Sequence, residues 1–116
     1  MSSRNHYYFS IDDLAHARGS EPRLSWDGTG PRDFAAALQE ALRTPALFDH
    51  WRALQPEPEE VDTSLAVTDP SAEVRAVVAD LHTDLDLVTS LPMSVVRQRL
   101  NLLIGPHWQL RDMRAA

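Results

Sequence analysis

From Phe34 onward, the apolar residues Phe34, Ala37, Leu38, Ala41 and Leu42 recur at i, i+3, i+4, i+7 and i+8, the stripe of a helix lying on a core. Thr44-Pro45 interrupts the rhythm before Leu47, Phe48, Trp51 and Leu54 resume it. Residues 31–54 are therefore predicted as one kinked helix or two, with Thr44 capping the second and Pro45 in its first turn. A further helix is predicted over 92–104, with Met93, Val96, Leu100, Leu103 and Ile104 on one face and Ser94, Arg97, Gln98 and Asn101 on the other. Gly105-Pro106 stops it. Val95 and Leu102 widen its apolar face and leave Arg99 as the only charge near the edge. That width suits a helix covered on two sides, by its own sheet and by a partner.

Elsewhere the pattern shortens to strand length. His6–Ile11 (HYYFSI) is aromatic and β-favouring and is predicted as a strand, after which Ser10 and Asp13 resemble a capping box opening a short helix through Arg18. Short strands are expected at Arg23–Trp26 and Ser64–Thr68, and His107–Met113 alternates as a last strand. Residues 73–90 admit two readings. Val74, Val77, Val78 and Leu81 match helical spacing and favour a helix followed by a strand; the abundance of valine allows instead a β-hairpin turning at His82-Thr83-Asp84. The fold class expected is α+β, a small sheet packed against the 31–54 and 92–104 helices, with a mostly helical domain as the alternative.

The chain has 116 residues, 43% of them hydrophobic, which suits one domain over 1–116 able to bury roughly two-thirds of its unfolded surface. Its net charge of −6 is unevenly spread. Residues 55–73 carry six acids and no arginine, while the segments on either side are nearly neutral. Within this stretch Gln55–Asp62 (QPEPEEVD) is predicted as an acidic, extended, solvated connector. No basic face is legible, so nucleic acid is not an expected partner. The start lacks a signal-peptide pattern and no apolar run reaches the roughly 20 residues of a membrane span, so a cytoplasmic location and no membrane contact are expected.

Lysine and cysteine are both missing, so all eleven basic side chains are arginine. This pattern fits a GC-rich coding bias. It excludes Schiff-base and P-loop lysine chemistry, thiolate nucleophiles, thiolate metal sites and disulfides. No G-x-S-x-G elbow, HExxH pair or calcium loop is present. Asp27-Gly28-Thr29-Gly30 before Pro31 could suggest an anion cradle, but two nearby aspartates and the proline argue for a plain turn.

Two constellations contain metal-ligand chemistry. Asp12, Asp13 and His16 would gather on one face of a short helix, where surface acids in a first turn are the simpler reading. Asp80, His82, Asp84 and Asp86 alternate, so His82, Asp84 and Asp86 are weak metal candidates if the stretch is extended; a solvent-facing strand is the simpler reading. No catalytic residue, cofactor or enzyme activity is expected. The function expected is a non-enzymatic, small acidic interaction domain of adaptor, chaperone-like or inhibitor type, with divalent-metal or small-molecule binding at Asp80–Asp86 as the alternative. Its partner would be another protein or a second copy of the chain. The partner-binding candidates are Trp108 and Arg99, whose residue types concentrate at interface hot spots, and the acidic set Glu57, Glu59, Glu60 and Asp62, able to meet a basic surface.

Overall fold

A computed structural model describes residues 4–116. Among them, strands β1 (Asn5–Asp12), β2 (Glu73–Ala79), β3 (His82–Thr89) and β4 (Gln109–Ala115) form one antiparallel sheet in the order β2-β3-β1-β4. Helix α1 (Pro31–Arg43) and α2 (Ala46–Ala53) lie between β1 and β2, and α3 (Met93–Ile104) lies between β3 and β4. The order β-α-β-β-α-β, with β3 inserted between β1 and β2 and β1 between β3 and β4, is the split βαβ connectivity. The α+β expectation is met.

The alternation read in HYYFSI explains how the two layers meet. Tyr7, Phe9 and Ile11 of β1, Leu85 and Leu87 of β3 and Val74 of β2 are buried beneath α1 and α3. Phe34, Leu38 and Leu42 of α1 and Val95, Val96 and Leu100 of α3 complete the core. Both helices therefore bury the stripes their spacing predicts. Of the kinked helix or two helices expected over 31–54, two form, α1 and α2, with the break at Thr44-Pro45. Thr44 closes α1, its hydroxyl donating to Glu40 O at 3.1 Å, and Pro45 stands just before α2.

Five local expectations fail for identifiable reasons. Residues 73–89 form a hairpin, contrary to the helix-then-strand reading, with Ala79 paired to His82 and the turn at Asp80-Leu81. The valine spacing matched a helix, but β-branched residues favour the pairing that buries Leu85 and Leu87. Asp80 has φ 55, a left-handed geometry that aspartate tolerates. Ser10 does not cap a helix, because β1 runs on through Asp12 and only a single turn, Leu14–His16, follows.

Arg23–Trp26 is not a strand; its backbone serves the end of α3, Trp26 N–H donating to Leu103 O at 2.9 Å. The fit is close there: a Cβ on Gly19 would lie 2.3 Å from Leu102 O, which explains the glycine. Ser64–Thr68 is likewise not a strand, since Thr63–Ala66 forms a short 3-10 turn whose first N–H groups meet Asp62. In the acidic connector, Pro58–Glu60 is also a turn, folded back so that Arg52 Nε donates to Pro58 O at 2.7 Å.

Candidate binding surface

The strands turn their odd-numbered β1 and β3 side chains into the core, so the even-numbered ones share the opposite face. No helix among the described residues covers that face. Its middle row is His6, Tyr8, Ser10 and Asp12, paired in register with Val88, Asp86, Asp84 and His82 of β3. Arg75 lies directly across from Asp86, and Arg114 and Asp112 lie across from His6 and Tyr8 on the other side.

These side chains interlock. The His6 and Tyr8 rings stack with centroids 4.1 Å apart, and the Tyr8 hydroxyl meets His6 Nδ1 at 3.1 Å. His6 Nε2 is buried without a hydrogen-bond partner. The Arg114 guanidinium lies 5.7 Å from the Tyr8 ring centroid while its Nε donates to Asp112 at 2.8 Å. That bond, with the Met113 N–H, holds the Asp112 carboxyl below the usual carboxylate range.

β4 carries one extra residue where its register slips opposite Tyr8 and Phe9. The residue is Arg111, and it reaches across the sheet to donate to Ser10 Oγ at 2.8 Å. Three arginines and five carboxylates, those of Asp12, Glu73, Asp84, Asp86 and Asp112, thus share one face. Such a mixed field suits a patterned protein surface better than a polyphosphate backbone.

Of the residues singled out from sequence, Arg99 is the most displaced. It is not at an edge open to a partner but inside the domain, with 0% of its surface exposed. Its Nε donates to Ala41 O at 3.2 Å, Nη2 to Leu65 O at 2.8 Å and Nη1 to the Gln98 side chain, and the guanidinium lies 5.4 Å from the Phe48 ring centroid. Burial lowers its pKa to about 10, which leaves it charged at neutral pH. The second cover expected over α3 is therefore supplied in part by the chain's own 63–66 turn, with Phe48 of α2 against the Arg99 guanidinium.

Trp108 is half-buried, edge-on to Phe9 at 5.6 Å, with its indole N–H on Asn101 Oδ1 at 2.9 Å. It acts as a core anchor with one accessible side. Glu57, Glu59, Glu60 and Asp62 are all exposed on the turns beside α2, and Glu57 beside Glu60 raises the Glu60 pKa. They form a folded acidic knob.

The two carboxylate-histidine constellations meet at one end of the sheet, where Asp12 pairs with His82. There His82 Nε2 contacts Asp84 Oδ1 at 2.8 Å, and His16 Nδ1 contacts Asp13 Oδ1 at 2.9 Å. Asp86 lies further along β3, across from Tyr8, and Asp80 is in the turn. Among the described residues no three such side chains converge as metal ligands would. Asp27–Thr29 has no regular structure, and Gly30 precedes α1 without a side-chain cap.

The sequence reading missed the open face and one buried hub. Asp69 accepts from Thr89 Oγ1 at 2.7 Å, Ser90 N–H at 3.1 Å and Ser71 N–H at 3.0 Å, with Arg4 Nη1 3.7 Å away. Burial works to raise its pKa, but those hydrogen bonds and the Arg4 charge together hold it below the usual carboxylate range. The open face could have been found from HYYFSI, because any strand that buries Tyr7 and Phe9 must display His6 and Tyr8 on its other side.

Comparison of the chain with protein-family models, with curated proteins and with solved structures gives no match. No helix among the described residues is long and apolar enough to cross a membrane.

Proposed function

We propose that this protein is a small acidic interaction module that presents a surface to another protein and performs no chemistry itself, working in the cytoplasm, where a chain without disulfides is at home. The observation that carries this reading is the uncovered sheet face. There a stacked aromatic pair, three arginines and five carboxylates are held in a fixed pattern by strand register. Tyrosine and arginine on a rigid support are the residue types that anchor protein interfaces. The acidic knob at Glu57–Asp62 adds a second charged surface, which would speed encounter with a basic partner and lose that effect as salt screens it.

The test compares partners captured by the wild type, by Tyr8→Ala and by a knob variant with Glu57, Glu59 and Glu60 changed to Gln. The expected result is a captured protein whose affinity falls at least about tenfold with Tyr8→Ala, while the melting temperature is unchanged. Equal capture by wild type and Tyr8→Ala would overturn the role of the open face. Stabilisation of the fold by a divalent cation, abolished in His82→Ala, would favour metal binding at the His82 end instead.

A further inference from the structure

We infer that the β4 edge is a self-association surface, on which a second copy of the chain pairs antiparallel about a two-fold axis at Met113 and extends the sheet to eight strands. This rests on the interaction-module reading and names one partner for it. Backbone direction sets the register. Ala116 N–H donates to Arg4 O at 3.0 Å, and amide direction alternates along a strand, so the amides of Arg114 and Asp112 also face β1. Those of Met113 and Ala115 face outward, away from the sheet. The Met113 N–H accordingly donates to the Asp112 carboxylate, at 2.8 Å.

The charges select the same axis. With Met113 opposite the second copy's Met113, Asp112 stands opposite the second copy's Arg114, and Arg114 opposite its Asp112. Centring the axis on Asp112 or on Arg114 instead sets like charges face to face, which is destabilising in a cross-strand pair. Moving the axis by half a step turns one copy's open face toward the other's helical side. On the helical side, Met113 is 52% exposed and Leu110 43%, an apolar edge that a second copy would cover. The slip at Arg111 confines regular pairing to the residues that follow it, so the ladder is short and association is expected in the micromolar range.

Light scattering coupled to size exclusion tests this with the full chain at rising concentration. The wild type is expected to move from the 13.0 kDa of one chain toward twice that mass. Asp112→Arg places arginine opposite arginine, and Arg114→Asp places aspartate opposite aspartate, so each variant alone stays monomeric. Mixed in equal amounts the two variants are complementary, and the mixture recovers the dimer mass. Unchanged melting temperatures verify that both variants fold. A wild type that remains monomeric at hundreds of micromolar, a dimer that survives either single substitution, or a mixture that stays monomeric would each overturn the inference. Capture of another protein through Tyr8 would stand in all three cases, so failure here is distinguishable from failure of the interaction reading.

Discussion

At the β2 edge of the sheet, α1 packs against the strand and its Gln39 side chain accepts the Val74 N–H at 3.1 Å. At the β4 edge, the Met113 N–H finds only the carboxylate of its own neighbour. The difference continues inward. The chain leading into β2 is held by two buried ions of opposite sign, Asp69 binding the end of β3 and Arg99 binding α1 and the 63–66 turn, each satisfied mainly by neutral groups and not by the other. Arg99 joins α3 to the end of α1 and to the 63–66 turn, with its charge at the carbonyl end of α1, where the helix dipole favours a cation. The β4 side has no comparable buried ion among the described residues. One side of this domain is built to stay closed and the other is left available.

Substitutions at four positions would break or sharpen that contrast. The largest expected effect is Arg99→Ala, which strands the Ala41 and Leu65 carbonyls and opens space beside Phe48. A loss of about 4 kcal/mol is expected in urea unfolding, and Arg99→Lys should recover only part of it because an ammonium lacks the planar fork. A loss below about 1 kcal/mol would mean that the guanidinium is not holding α3 to the helices before β2.

Next is Asp69→Ala, expected to cost about 3 kcal/mol because two N–H groups and a hydroxyl lose a charged acceptor. Asp69 binds its proton less tightly folded than unfolded. Its contribution is therefore complete above the ordinary carboxylate pKa of about 4 and is lost as pH falls through the lower folded value. Asp69→Asn should flatten that acid limb of the stability profile, whereas an unaltered limb would point to other carboxylates.

Smaller still, Gln39→Ala frees the Val74 N–H at a cost of about 1 kcal/mol. It should also raise the tendency of the β2 edge to aggregate, readable by turbidity on heating, since Val77 and Val78 nearby are 58% and 60% exposed. Smallest is Met113→Thr, which should leave monomer stability within about 0.5 kcal/mol while weakening self-association. A large stability loss there would place Met113 in the core and remove the contrast.

The helices were legible because each carries a complete apolar stripe, and β1 and β4 because aromatic and alternating residues left little competition. The 73–89 hairpin was not, since Val74, Val77 and Val78 match helical spacing while Val74 and Val78 also share one strand face, and only the partner strand decides between them. Arg99 misled for a similar reason. A lone charge beside a broad apolar face reads as an edge, and nothing local reveals that carbonyls from residues 41 and 65 converge on it. Asp69 is a hub through partners twenty residues away, a distance over which sequence pattern carries no signal. The acids at Glu57–Asp62 are exposed, as their charge suggests, but two prolines suggest extension where local carbonyls and Arg52 favour turns.

The most direct test of the contrast is residue-resolved amide hydrogen exchange across a range of protein concentrations. The amide of Met113 is predicted to slow as concentration rises, while those of Ala76 and Val78 on the opposite edge keep constant rates. Exchange at Met113 that is independent of concentration, or protection that arises at Ala76 and Val78 instead, would contradict the assignment of β4 as the available edge.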